Sequence, residues 1–155
     1  MNVSALLSPE RVDCHREVRS KKKALETLAD MLASAGEELD RDEVFDSLLA
    51  RERLGSTGMG HGVAIPHGRL AGLDRALGAL LVLKPPVEYE APDGAPVDVL
   101  FGLLVPEDST QEHLQILATL ARIFSDPENV ERIRQCREKL DLLEMTGHWA
   151  VDDAA

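Results

Sequence analysis

The chain has 155 residues and a formal net charge of −11, so it lacks the basic surface that sequence-independent nucleic-acid binding requires. Hydrophobic residues make up 44% and charged residues 29%, which is typical of one compact globular domain over residues 1–155, ordered from roughly residue 2 to 150. No apolar run approaches the ~20 residues of a membrane helix and no signal-peptide pattern opens the chain, so we expect a soluble, cytoplasmic protein without membrane insertion.

The first fifty residues are predicted to be mainly helical, after an extended segment over residues 5–14. Apolar residues at helical spacing predict an amphipathic helix over residues 20–35, with a serine as its N-cap and Gly36 as its stop. A second helix, capped by an aspartate, is predicted over residues 40–51. Its last turn carries Arg51, at the helix end where the dipole favours a cation.

Two almost continuous apolar runs, residues 76–83 and 97–105, predict strands buried on both faces of a sheet. The proline-rich stretch between them predicts a loop, with room for a short strand at 87–89. Three helices are expected to follow, beginning at the capping box 109–112, at the Asp-Pro pair 126–127 and at Lys139. The predicted fold class is therefore α/β, a single domain with a mixed central β-sheet and helices on both faces, and a tail that frays beyond Trp149.

The segment RERLGSTGMGHGVAIPHGRL, residues 51–70, stands apart from the rest of the chain. It holds five glycines, and its three arginines against one glutamate give it a local charge of +2 in an acidic chain. Pro66 makes the backbone before His67 stiff and extended, and Gly68 is expected to let the chain turn away. A cationic, glycine-rich setting around a histidine predicts an anion site, and phosphate fits it best. From spacing alone, a surface turn with a solvent-exposed histidine is equally favoured.

Other chemistries fit the sequence less well. His61 and His67 lack a third ligand, and Cys14 and Cys136 share no metal-type spacing, so we expect no metal. The G-x-S-x-G elbow of hydrolases and the glycine patterns of nucleotide sites are absent. A basic run over residues 11–23 is interpreted as a solvated connection in preference to a contact for an acidic partner.

Two separated stretches resemble one family. GSTGMGHGVAIPHGRL is similar to the active-site region of the fructose/mannitol-type (type 2) enzyme IIA domains of the bacterial phosphotransferase system (PTS), and closest to their nitrogen-related branch. PVDVLFGLLVPEDSTQEHLQIL, residues 96–117, matches a second family stretch, and the likeness extends from about residue 6 to 149. In that family the histidine of the AIPH element accepts a phosphoryl group, and His67 matches it. His113 matches a second histidine beside the first, and Arg51 matches an arginine of the same pocket.

The resemblance implies a phosphotransferase that carries phosphohistidine at Nε2 of His67, assisted by His113 and Arg51, with no cofactor. Its donor would be a phosphorylated HPr-like carrier protein, charged from phosphoenolpyruvate through enzyme I. Because His113 lies near a helix amino end, we expect its ring to be neutral. Further donors to the phosphoryl oxygens are expected from the glycine-rich loop, and the predicted phosphate-binding residues are Ser56, Thr57, Gly58, Gly60 and Gly62.

The family leaves three functions open. Transport-type members pass the phosphoryl group to a sugar-specific IIB domain, whereas the nitrogen-related branch regulates partner proteins through its phosphorylation state. We expect a stand-alone domain without a fused permease segment, and this expectation favours the regulatory branch. A third alternative is a non-catalytic binding module with the same fold, in which His67 is never modified.

Overall fold

The computed structural model describes residues 2–149, which form six strands and five α-helices. The strands are β1 (Val12–Arg16), β2 (Gly58–Gly60), β3 (Val63–Ala64), β4 (His67–Leu70), β5 (Leu77–Val87) and β6 (Val97–Pro106). The helices are α1 (Lys21–Ala33), α2 (Arg41–Glu52), α3 (Thr110–Phe124), α4 (Pro127–Gln135) and α5 (Lys139–Thr146). The predicted fraying beyond Trp149 lies outside the described residues.

The sheet is mixed, as predicted, and its strand order is β1-β5-β6-β3-β2, with β4 also paired to β6. The two long apolar strands, β5 and β6, are antiparallel neighbours at the centre. β3 and β4 run parallel to successive parts of β6, with Val63 opposite Val99 and His67 opposite Leu103. Pro66 lies between β3 and β4, and its carbonyl accepts a hydrogen bond from the Leu103 N–H of β6 at 2.9 Å. The stiff piece before His67 is therefore held along β6.

Helices cover both faces of the sheet, which confirms the predicted architecture. On one face α1 and α2 bury Leu28, Leu32 and Leu48 against the sheet, and on the other α3, α4 and α5 bury residues such as Leu120 and Ile133. Residues along β5 and β6 alternate between the two apolar cores, because successive side chains of a strand point to opposite faces. The first core receives Ala79, Leu81, Leu83, Leu100 and Leu104, and the second receives Leu80, Val82, Val99, Phe101 and Leu103.

The amino-terminal prediction was partly wrong. The backbone forms two short 3₁₀ helices, Val3–Leu6 and Pro9–Arg11, and the strand begins only at Val12. Ser20 caps α1 as predicted, because its hydroxyl accepts the Lys23 N–H at 3.1 Å. The helix ends earlier than Gly36.

β5 continues over two prolines to Val87, where the sequence predicts a loop. The prolines lie in the interval where the register with β6 shifts, between Val82 and Val87. A proline has no N–H to donate to a sheet, so a register shift is where a strand tolerates it. Among residues 2–149, no helix combines the length and apolar character needed to cross a bilayer.

Candidate functional site

His67 is the first residue of β4 and is half-buried. Its Nδ1 lies 2.8 Å from the Ile65 carbonyl oxygen. A carbonyl only accepts hydrogen bonds, so Nδ1 carries the hydrogen, and in the neutral ring Nε2 is then the nitrogen with a free lone pair. The Ile65 N–H in turn donates to the Thr57 carbonyl at 3.1 Å. The backbone of the glycine-rich segment therefore selects the tautomer of His67.

His113, on helix α3, contacts His67. It lies in the first turns of α3, and its ring centroid is 5.4 Å from that of His67 in an edge-on arrangement inclined by 61°. His113 is only 6% exposed, and its Nδ1 is buried with no hydrogen-bond partner in the described part of the chain. The fold thus brings the two predicted histidines together.

Both rings favour the neutral state. Burial is the largest cause that lowers the pKa of His67, and the Arg51 charge lowers it further, while the Ile65 carbonyl and Glu52 act in the opposite direction. Burial also lowers the pKa of His113, and the charges of His67 and Arg69 add to that. The expected neutrality of His113 is thus supported, but burial, which the sequence argument left out, is the largest cause.

The two imidazoles line a cavity of about 610 Å³ together with two arginines, and Glu43 and Asp46 also belong to its lining. Arg51 lies in the last turn of α2, and its Nη1 donates to the carbonyl of Gly55, just beyond the helix, at 2.8 Å. Arg69 follows His67 by two residues in β4, and residues two apart lie on one face of a strand. The predicted residues Arg51, His67 and His113 therefore share one cavity, and Arg69 joins them.

The sequence argument counted Arg69 in the local charge but did not name it as a site residue. The turn that it placed at Gly68 was wrong. Gly68 continues β4, and a side chain there would collide with Ser47 of α2. The missing Cβ lets α2 lie directly against β4, with the Ser47 hydroxyl donating to the Arg69 carbonyl at 2.7 Å. This close packing brings the Arg51 end of α2 to the His67 cavity.

The predicted phosphate-binding hydroxyls lie elsewhere. Ser56 lines a second cavity of about 670 Å³, and its Oγ accepts the Gly58 N–H at 3.1 Å. Thr57 is buried, and both its N–H and its hydroxyl donate to the Glu52 carboxylate. Neither residue lines the cavity that holds His67. Their role as phosphate ligands stays a prediction, and Arg69 is better placed for it.

Of the remaining predicted glycines, Gly58 and Gly60 begin and end β2, and Gly62 lies in the turn that follows it. Gly60, His61 and Gly62 all have positive φ values, of 91°, 57° and 83°. The turn is held from outside, because the His61 N–H donates to Asp93 Oδ2 at 2.9 Å and the His61 carbonyl accepts from Arg134 Nη2 at 2.7 Å. The phosphate-binding prediction for Gly58, Gly60 and Gly62 is untested, and none of them lines the His67 cavity. In residues 2–149, no three His, Cys, Asp or Glu side chains cluster as a metal site.

Fold and site together define a class of protein: a small α/β domain whose mixed sheet and covering helix bring two neutral histidines into one arginine-lined cavity. The family model described as phosphoenolpyruvate-dependent sugar phosphotransferase system, EIIA 2, matches residues 5–146. The chain belongs to this family, which confirms the resemblance seen in the two sequence stretches.

Similar proteins point to one branch of the family. The chain is 43% identical to the nitrogen regulatory protein of Pseudomonas aeruginosa over 134 residues, 86% of this chain and 87% of that protein. It is 38% identical to the nitrogen regulatory protein of Escherichia coli over 146 residues, 94% and 89% of the two chains. The crystal structure of the nitrogen regulatory protein IIA-Ntr from Neisseria meningitidis superposes with a TM-score of 0.87 at 40% identity, over 93% of this chain and 98% of that one.

Proposed function

We propose that this chain is a phosphoryl carrier of the nitrogen-related PTS branch, and that His67 accepts the phosphoryl group from a phosphorylated HPr-like protein. The observation that carries the proposal is the contact between His67 Nδ1 and the Ile65 carbonyl. It leaves Nε2 as the nucleophilic nitrogen of a neutral ring in an arginine-lined cavity.

In the proposed step the Nε2 lone pair of His67 attacks the phosphorus of the carrier's phosphohistidine. The new N–P bond forms as the old one breaks, and the carrier's imidazole leaves with the electron pair of that bond. His67 keeps its Nδ1 hydrogen, so its ring becomes cationic. The Ile65 carbonyl, 2.8 Å from Nδ1, stabilises this charge, and the carbonyl acts on the pKa of His67 in the matching, upward direction. Reversal of the same step returns the group to an acceptor.

The groups around His67 suit a transferring phosphoryl group. Its charge spreads over three equatorial oxygens in the transition state, so positioned donors supply most of the stabilisation. Arg51 and Arg69 are the cations of the cavity, and His113 is the second imidazole, 5.4 Å from His67 between centroids. As a neutral ring His113 has one N–H to donate to a phosphoryl oxygen.

The regulatory branch is favoured over sugar transport because the Pseudomonas aeruginosa, Escherichia coli and Neisseria meningitidis proteins all carry the name nitrogen regulatory protein. We therefore propose that the phosphorylation state of His67 is read by partner proteins. The residues that a partner would meet include Leu54, which is 85% exposed and also lines the His67 cavity.

The test is a labelling assay with phosphoenolpyruvate, enzyme I and an HPr-like carrier. The wild-type chain is expected to take up an acid-labile phosphoryl group, and His67→Ala is expected to take up none. His113→Ala is expected to accept more slowly. His61→Ala is the matched control, because His61 is exposed in the same glycine-rich segment and lies outside the cavity. Full labelling of the His67→Ala protein would show that the assignment is wrong, and an unlabelled wild type would favour a binding module.

A further inference from the structure

A buried carboxylate, Glu52, adjoins Arg51 in the chain, and the transfer step described above does not use it. Glu52 is the last residue of α2, next to Arg51, and its side chain is only 2% exposed. Ionised groups are rarely buried this deeply unless they are paired, because desolvation is costly. Glu52 lines the second cavity, and its deep burial there calls for an explanation.

Within residues 2–149, the groups that contact the Glu52 carboxylate are all donors. The Thr57 N–H donates to both oxygens at 3.0 and 3.2 Å, and the Thr57 hydroxyl donates to Oε1. The Tyr89 hydroxyl also donates to Oε1, at 3.0 Å. Lys21 Nζ lies 3.1 Å from Oε2 and 4.5 Å from the centre of the Tyr89 ring. Burial and then the Glu52 charge raise the pKa of Tyr89, so Tyr89 stays a protonated donor.

Thr57 connects this network to His67 through the backbone. Its N–H is fixed by Glu52, and its carbonyl accepts the Ile65 N–H at 3.1 Å. The Ile65 carbonyl is the atom that contacts His67 Nδ1 at 2.8 Å. A series of hydrogen bonds through Thr57 and Ile65 thus connects the Glu52 carboxylate to Nδ1 of His67.

The same carboxylate also closes the loop that orients Arg51. Residues 53–56 join Glu52 to Thr57, and the hydrogen bonds between those two residues hold both ends of the loop together. Within the loop, the Gly55 carbonyl accepts the hydrogen bond from Arg51 Nη1 at 2.8 Å. The arginine of the cavity is therefore held by a loop whose closure depends on Glu52.

The geometry points to Glu52 as a positioning residue: its carboxylate, held by Lys21 and Tyr89, fixes Thr57 and so sets the His67 tautomer and the Arg51 loop. Glu52 does not touch the transferring group. As far as the transfer rate is concerned, this inference rests on the proposed function, whereas the tautomer of the unphosphorylated ring is independent of it.

The test is Glu52→Gln, with two readouts on the full chain. The first is the pair of His67 ring ¹⁵N chemical shifts, which report where the hydrogen sits before any phosphoryl group is present. We expect the wild type to be the Nδ1–H tautomer and the variant to be a mixture of tautomers. The second is the initial rate of phosphoryl acceptance, expected to fall about ten- to a hundredfold, as is typical when a reacting group is slightly misplaced.

Matched variants separate positioning from general destabilisation. Glu26→Gln removes another lysine-paired carboxylate, whose partners are Lys22, Lys23 and Arg41 on the surface, and it should change neither readout. Lys21→Arg should preserve both readouts, because it keeps a cation beside Glu52, and Lys21→Met should shift both. If Glu52→Gln does not fold, Tyr89→Phe and Thr57→Val each remove one hydroxyl of the network and should shift the tautomer in a graded way.

The inference is overturned if Glu52→Gln keeps the wild-type ring shifts and the wild-type rate. The same result in both Thr57→Val and Tyr89→Phe would also overturn it, even if these variants melt at lower temperature. Failure of the proposed function has a different signature, because then the wild type itself accepts no phosphoryl group while the tautomer shifts still respond to the network.

Discussion

The Ser47 hydroxyl donates to the Arg69 carbonyl at 2.7 Å, and this hydrogen bond joins α2 to β4 beneath the histidine cavity. Both residues line that cavity, and Gly68 lies beside them with Ser47 where its Cβ would be. The absence of a side chain at Gly68 thus allows the close distance between α2, which carries Arg51, and β4, which carries His67.

Gly68→Ala is expected to lower the free energy of unfolding by about 1–3 kcal/mol, because the added methyl group overpacks the contact with Ser47. It should also slow phosphoryl acceptance, since α2 must move away from β4. Urea unfolding and the labelling rate measure the two effects. Ser47→Ala is the control, because it removes the 2.7 Å hydrogen bond without adding volume and should cost only about 1 kcal/mol. Equal stability of Gly68→Ala and the wild type would contradict the close packing.

Stability is expected to fall as the pH drops below about 6.5. Burial lowers the pKa of both His67 and His113 from the ordinary value of 6.5, so below that pH the unfolded chain binds protons that the folded chain does not. Acidification therefore favours the unfolded state until the folded rings are also protonated. Urea unfolding at several pH values measures this slope, and His67→Gln combined with His113→Gln should flatten it. If the double variant keeps the same slope, groups other than these two histidines cause the pH dependence of stability.

Arg51→Gln is expected to reduce the rate of phosphoryl acceptance by about 10²- to 10³-fold, the typical loss when one donor to a developing oxyanion is removed. Arg53→Gln is the matched control. It removes the same charge two residues later, but Arg53 is exposed and lines the second cavity, away from the histidines. The initial labelling rate measures both variants. A similar loss in the two would mean that net charge, and not a donor in the cavity, controls the rate.

The sequence predicts the parts of this site that depend on motif and periodicity. The long apolar runs predict β5 and β6, and the family resemblance pairs His67 with His113. The cavity does not support the assignment of Thr57 to phosphate, because the Thr57 N–H and hydroxyl donate to Glu52. Tyr89, just beyond the end of β5, completes that network. Such a network depends on long-range packing, which no local pattern records.

Arg69 shows the same limit at shorter range. Alternation along a strand would have placed Arg69 beside His67, but Gly68 between them is typical of a turn. Only the approach of α2 explains why a glycine is needed inside β4. Gly68 therefore marks a close contact between β4 and α2, and not a change in chain direction.

Arg134 of α4 pairs with Asp98 of β6 and also contacts the turn between β2 and β3. Nε and Nη2 of Arg134 contact the carboxylate at 2.8 and 2.9 Å, and Nη2 also donates to the His61 carbonyl at 2.7 Å. The side chains are 31% and 21% exposed, so solvent screens the pair only in part. The arginine thus holds β6, α4 and the glycine turn together.

Arg134→Lys is expected to destabilise the fold, because a lysine ammonium lacks the planar fork that contacts Asp98 and His61 at once. A double-mutant cycle of Arg134→Ala and Asp98→Ala, measured by urea unfolding, should give a coupling energy of about 1–2 kcal/mol, within the range for residues in direct contact. The exposed Arg132 on the same helix supplies the control, since Arg132→Ala should not couple to Asp98→Ala. Additive effects of the Arg134 and Asp98 substitutions would mean that the glycine turn is held by its own backbone, with the ion pair contributing nothing measurable.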